Sequence, residues 1–230
     1  MRDDLSPAPP RPRQARRTPV SVPVDSGLLR SDLAAALGPP RDGRAAGRAV
    51  AAARLLAGGQ LDDARRILAP IASEAPGAAS IRELLGLTLY QLGRWRPAAK
   101  ELEAFSALTG SVDHNPVLAD CYRALGRHGD AERLWEELRE VSPSAELMAE
   151  GRIVAAGSLA DRGRLGDAVR LLESAPRGKK AREHHLRTAY ALADLRERSG
   201  DLARARELFA WIASVDPDLA DAAERLDALT

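Results

Sequence analysis

The stretch GDLARARELFAWIASVDP, residues 200–217, decides the fold of this chain. Gly200 is a turn residue, the residues after it place leucine, alanine, phenylalanine and isoleucine on one side of a helix, and Pro217 stops that helix. The apolar positions fall three or four residues apart, which is the period of an α-helix. The stretch therefore predicts a helix with one buried face that begins after a glycine and ends before a proline.

The same pattern occurs five times along the chain. Its central alanine recurs at spacings of 34, 33, 37 and 37 residues. The five positions are Ala64, Ala98, Ala131, Ala168 and Ala205. A period of this length indicates an array of helical repeats, in which each unit buries its apolar face only against its neighbours.

Each repeat predicts two helices joined at a glycine, because glycine ends a helix in a left-handed conformation without strain. These glycines are Gly59, Gly93, Gly126, Gly163 and Gly200. A second small residue precedes each central alanine by twelve positions, and we expect the two helices to cross closely there. The second set is Ala52, Gly86, Ala119, Ala156 and Ala193.

On these residues the chain resembles the tetratricopeptide repeat family over about residues 41–230. The resemblance implies an all-α fold, a right-handed superhelical array of about five helix pairs with a C-terminal capping helix. The chain departs from the family near the start of each first helix, where the family often carries a large aromatic residue. The residues found there are Arg48, Arg82, Asn115, Arg152 and Ala189.

Four segments follow from this pattern. Residues 1–28 are rich in proline and arginine and predict a disordered tail, whose first 24 residues carry a net charge of +3. Residues 29–40 predict a short helix that begins at Ser31, followed by a linker. Residues 41–217 form the repeat array, and residues 218–230 predict an amphipathic helix that caps its open end.

Composition limits the class of protein and its compartment. Hydrophobic residues make up 45% of the 230 residues and aromatic residues only 3%, so the core must consist of Ala, Leu, Ile and Val. Three lysines among 34 basic residues indicate a high-GC bacterial source of the actinobacterial type. Cys121, the single cysteine, excludes an intramolecular disulfide and fits a reducing compartment. No stretch has the length of a signal sequence core or a membrane span, and we expect a cytoplasmic protein that has no membrane partner.

No motif for enzyme chemistry is present in the sequence. It has no phosphate-binding glycine loop, paired-cysteine zinc site or nucleophile elbow, so we predict a protein without catalytic residues, cofactor or metal. Cys121 fits a buried small side chain better than a reactive thiol. Adjacent residues on a helix point about 100° apart, which directs His184 and His185 away from shared coordination. His128 occupies an apolar position of a second helix, where we expect it to pack.

The resemblance implies a protein or peptide partner, bound in a concave groove that the first helices line. The inward residues are then Glu83, Leu87, Tyr90, Asp120, Arg123, Ile153, Asp161, Arg187, Tyr190, Asp194 and Glu197. Tyrosine is a common anchor for a partner, yet Tyr90 and Tyr190 equally fit a role as fillers between helices. The lysines and asparagines with which chaperone-binding members grip a carboxylate are lacking.

The sequence thus favours a non-enzymatic scaffold or adaptor that binds a partner segment in its groove. One alternative is an RNA- or ribosome-associated factor that uses the basic tail, although the tail has few charges and no interleaved aromatic residues. A second alternative is self-association through an exposed end of the array. The identity of the partner does not follow from these residues.

Overall fold

The computed structural model describes residues 25–176 and 181–229, which fold into twelve helices and no strand. The helices are α1 (Ser26–Leu37), α2 (Arg41–Ala57), α3 (Leu61–Glu74), α4 (Ala79–Gln91), α5 (Trp95–Thr109), α6 (Asn115–Ala124), α7 (His128–Val141), α8 (Ala145–Asp161), α9 (Leu165–Glu173), α10 (Glu183–Arg198), α11 (Leu202–Val215) and α12 (Ala222–Ala228). The predicted all-α repeat array is confirmed.

The five repeats are helix pairs. The first helices are α2, α4, α6, α8 and α10, and each packs against the helix that follows it. The glycine between the two helices of a pair has a positive φ in every repeat, from 71° at Gly93 to 84° at Gly200. An L-residue with a side chain rarely adopts this conformation, so the glycine positions of the sequence mark the helix ends correctly.

The helices of each pair cross at the predicted small residues. All five central alanines are at most 1% exposed, as with Ala64 and Ala205. In the second repeat a Cβ added to Gly86 would lie 2.8 Å from the Leu102 side chain, closer than packed carbon atoms approach. The two backbones therefore approach within a distance that only a small residue permits.

Adjacent repeats share clusters of buried side chains. Each second helix also packs on the first helix of the next repeat, as α3 does on α4 and α7 on α8. The main cluster of buried side chains runs from α1 to α7, and smaller clusters join α8, α9 and α10 and then α10, α11 and α12. This stacking of neighbours is how a repeat array covers faces that no single pair can bury.

Polar side chains occupy the position near the start of the first helix in three successive repeats. Arg82 of α4 pairs with the buried Glu101 of α5. Asn115 of α6 donates to the Leu134 carbonyl of α7 at 3.4 Å, and Arg152 of α8 donates to the Leu171 carbonyl of α9 at 3.2 Å. In each case the acceptor lies 19 residues later. A polar contact thus joins the two helices where the family uses an aromatic ring.

The first helix begins earlier than predicted. It starts at Ser26, and the Asp25 carboxylate caps it by accepting from the backbone N–H groups of Gly27 at 2.7 Å and Leu28 at 3.2 Å. Ser31, the predicted N-cap, lies inside the helix. An aspartate caps as well as a serine does, and Leu29 and Leu33 extend the buried face in both directions from Ser31.

The last helix begins later than predicted, at Ala222 rather than Asp218, after a turn. Its apolar residues Leu226 and Leu229 pack with Leu219 on the cluster around Phe209, so the helix covers the end of the fifth repeat. Residues 1–24, which make up most of the predicted tail of residues 1–28, lie outside the described residues, as do residues 177–180.

Candidate functional site

The predicted inward residues share one face of the successive first helices, with one exception. Ten of the eleven are partly or largely exposed. Leu87 on α4 is wrong as a groove-lining residue, because it has no exposed surface and belongs to the core cluster that includes α1. The helix α1, which packs on α4, precedes the repeats and lay outside the sequence pattern that placed Leu87.

The polar members of this face contact one another between repeats. Glu83 of α4 lies 2.7 Å from the Nε2 atom of His114, the residue that precedes α6. About two turns further along α4, the Tyr90 hydroxyl donates to the Asp120 carboxylate of α6 at 2.9 Å. The rings of Tyr90 and Trp95 also pack edge to face, with 5.6 Å between their centroids. Tyr90 therefore fills the space between helices and joins two repeats.

Arg123 on α6 is the centre of the next contact. Its guanidinium donates to Asp120 at 2.9 Å and reaches across to Asp161 at the end of α8 at 2.6 Å. Burial disfavours the charged guanidinium, but the two carboxylates outweigh this effect and raise the pKa of Arg123. A Cβ on Gly157 of α8 would lie 2.9 Å from this guanidinium, so the glycine leaves the space through which Arg123 crosses.

Repeats four and five are joined by a second ion pair. Arg187 of α10 lies 2.6 Å from the Glu150 carboxylate of α8. Burial raises the pKa of Glu150, and the nearby Arg187 opposes that shift. The pair borders a cleft at the start of α8 and α10, where His184 also lies 3.4 Å from Glu146. This cleft is mixed in charge.

The last group of inward residues contacts the capping helix. Tyr190 hydrogen-bonds to Asp221, and Arg225 of α12 donates to Asp194 at 3.0 Å and to Glu197 at 2.7 Å. The Arg225 guanidinium lies 4.6 Å from the centre of the Phe209 ring. Burial works against the charged form of Arg225, but Tyr190, Glu197 and Asp194 raise its pKa overall. The capping helix thus takes the place of a sixth first helix.

Sequence reasoning placed the inward residues but missed their partners. The missed residues are His114, Glu150, Gly157, Asp221 and Arg225. A signal for one of them was present, because Asp120 follows Tyr90 by 30 positions and Asp221 follows Tyr190 by 31. On the predicted inward surface, hydrogen bonds and ion pairs therefore connect successive first helices from α4 to α10. Its contact with a partner stays a prediction.

The other singled-out residues have structural environments. Cys121 is fully buried, as predicted. His128 does pack in the second helix of its repeat, and its Nδ1 atom lies 3.0 Å from the Ser158 hydroxyl. The rings of His184 and His185, predicted to point away from shared coordination, lie side by side with 4.1 Å between their centroids. Within residues 25–176 and 181–229, no three ligand-type side chains form a group that could hold a metal ion.

None of the described helices has both the length and the hydropathy needed to cross a membrane. No protein-family model matches the sequence, and no curated protein matches it. A solved structure does match, that of a thermophilic tetratricopeptide-repeat protein from Thermus thermophilus, with 22% identity and a TM-score of 0.62. The match covers 80% of this chain and 98% of that protein. The fold is thus that of a tetratricopeptide-like helical repeat solenoid.

Proposed function

We propose that this protein is a non-enzymatic scaffold that binds a segment of a partner protein on the inward face of its first helices. The observation that carries the proposal is the row of partly exposed charged and aromatic side chains along that face, from Glu83 to Glu197. These groups are held in position by contacts between repeats. Side chains fixed before binding lose little conformational entropy when a partner docks, which favours recognition.

The chemistry of the face favours a polar partner segment with both signs of charge. Acidic groups such as Asp161 and Asp194 alternate with Arg123 and Arg187 along successive repeats. Charges arranged in this way select a complementary pattern and disfavour other segments more than they add affinity. We place the protein in a bacterial cytoplasm, a proposal supported by the single buried Cys121 and the arginine-rich composition.

Capture from nuclease-treated host lysate tests the proposal when two matched variants are compared. Asp161→Lys reverses a charge on the inward face, where Asp161 pairs with Arg123. Asp167→Lys makes the same change on the neighbouring second helix α9, where Asp167 pairs with Arg164 and Arg170. We expect Asp161→Lys to reduce the captured partner at least tenfold and Asp167→Lys to leave it unchanged.

Two other results would reject the inward face as the binding site. Equal losses with both variants would mean that no particular face is used. Binding would be assigned to the basic tail instead if the partner is captured only from lysate without nuclease treatment. The same holds if capture disappears when residues 1–24 are removed from otherwise unchanged protein.

A further inference from the structure

The helix α1 lies on the surface that the first two repeats would offer to a partner. It packs against α2 and α4, which are both first helices. Its Leu29 and Leu33 are 1% and 0% exposed, whereas Leu28 on its other side is 57% exposed. One side of the helix, with Leu29 and Leu33, is therefore buried where α1 packs against the two first helices.

Several buried positions of α2 and α4 are equivalent to the inward positions of the later repeats. Counted from the small residue at each helix crossing, Tyr190, Asp194 and Glu197 of the fifth repeat correspond to Ala49, Ala53 and Leu56 of the first. The residues of α10 are partly exposed, whereas all three residues of α2 are buried.

Leu87 of the second repeat, equivalent to Asp194, has no exposed surface either. The inward face is thus apolar and buried in repeat one and at Leu87 of repeat two, whereas the polar inward residues from Glu83 and Tyr90 onward are partly exposed.

A polar contact fixes α1 in this position. The Asp32 carboxylate accepts a hydrogen bond of 2.9 Å from the backbone N–H of Ser80, in the first turn of α4. The N-cap residue of α4 is Ala78, whose side chain makes no capping hydrogen bond. Asp32 therefore satisfies a helix-end donor that α4 leaves open, from a different segment of the chain.

We propose that the inward face of α2 and α4 is a binding site for an amphipathic helix, and that α1 is its intramolecular occupant. The site recognises two leucines four residues apart with a carboxylate between them, the arrangement of Leu29, Asp32 and Leu33. This inference rests on the proposed function, because it divides the inward face into an occupied and an open part. A partner helix reaches the apolar part of this face only by displacing α1, and otherwise binds the partly exposed polar part between Glu83 and Glu197.

A labelled synthetic peptide of residues 25–38 tests the proposal on the full-length protein. The double variant Leu29→Asp/Leu33→Asp frees the site, because two charges cannot occupy buried apolar positions. We expect the peptide to bind this variant, measured by fluorescence anisotropy, at least tenfold more tightly than the wild type, where the tethered α1 has a high effective concentration. Leu28→Asp is the matched control and should bind as weakly as the wild type.

Equal binding to all three proteins, with the double variant keeping its helix content by circular dichroism, would overturn the proposal. If the double variant unfolds, hydrogen exchange of the wild-type protein tests the proposal instead. The α1 amides should then exchange at least tenfold faster than those of α4, because an occupant opens separately from the array. Equal exchange rates would show that α1 opens only with the whole array. Neither readout uses the captured partner, so the proposed function can fail independently.

Discussion

The hydroxyl of Tyr90 on α4 donates a hydrogen bond of 2.9 Å to Asp120 on α6, and Tyr190 on α10 makes the equivalent contact with Asp221. Each bond joins one repeat to the next first helix or to the helix that replaces it. The same contact at two places in the array indicates that it fixes the orientation of neighbouring repeats. The two tyrosines are therefore part of the framework that presents the inward face.

Removing the Tyr90 hydroxyl should weaken the protein measurably. We expect Tyr90→Phe to reduce the free energy of unfolding by about 1–2 kcal/mol, since the bond is made to a carboxylate. Asp120 keeps its contact with Arg123, which limits the loss. Urea unfolding of Tyr90→Phe, Asp120→Asn and the double variant gives the coupling between the two residues. A coupling near zero would mean that the pair adds nothing to stability.

Two glycine substitutions should change stability in opposite directions. Gly86→Ala places a Cβ 2.8 Å from Leu102, whose side chain is 1% exposed and has no free space, and overpacking of this kind costs about 1–3 kcal/mol. Gly47, within α2, has no atom within 4 Å of the added Cβ, and Gly47→Ala should gain up to about 1 kcal/mol from helix propensity. Thermal unfolding of both variants tests the close crossing of α4 and α5 at Gly86. If Gly86→Ala were also stabilising, the two helices would not approach closely at this residue.

The repeat architecture could be predicted because its determinants are local. A glycine such as Gly200 ends a helix through its own backbone conformation, and an alanine such as Ala205 fits a close crossing through its own size. The number of repeats, the helix pairing and the capping helix all follow from residues of this kind. The helix start at Ser26, capped by Asp25, was missed because several residues there are acceptable N-caps and the buried face decides among them.

The inward face could be predicted only in part, because its contacts connect distant segments. Arg123 pairs with carboxylates on two different helices, and the sequence does not show that both lie within its reach. Leu87 occupies an inward position by period but is fully buried, and α4 there also packs against α1, a segment that has no counterpart in the repeats. Arg225 pairs with the fifth repeat only because α12 stands in for a further first helix.

Stability should depend on alkaline pH through Tyr190. Burial first, and then the hydrogen bond to Asp221, raise the pKa of this phenol from 10.0 to about 12. A raised pKa in the folded state means that the contribution is complete below pH 10 and is lost as the pH rises to about 12. Between these values the free energy of unfolding should fall more steeply for the wild type than for Tyr190→Phe.

Urea unfolding at several pH values between 9 and 12 provides the comparison. Burial also raises the pKa of Tyr122, but this residue is present in both proteins and its effect cancels. Parallel pH profiles for the wild type and Tyr190→Phe would show that the phenol of Tyr190 ionises equally well in the folded and unfolded states.

Arg225 should decide whether the capping helix stays in place. Its guanidinium bonds to two carboxylates of α10 and lies over the Phe209 ring, so Arg225→Ala leaves Asp194 and Glu197 without these contacts. We expect a loss of about 1–3 kcal/mol and at least tenfold faster hydrogen exchange in α12. Arg225→Lys keeps the charge but not the planar donors, and the exchange rate of α12 in this variant should lie between those of the wild type and Arg225→Ala.

Arg206→Ala is the matched control for Arg225→Ala, because Arg206 is an exposed arginine on the adjacent helix α11. It should leave the exchange of α12 unchanged. If Arg225→Ala behaves as Arg206→Ala does, the apolar contacts of Leu226 and Leu229 hold the capping helix by themselves. If Arg225→Lys matches the wild type, a positive charge at this position is sufficient, and the ring contact with Phe209 has no separate role in closing the array.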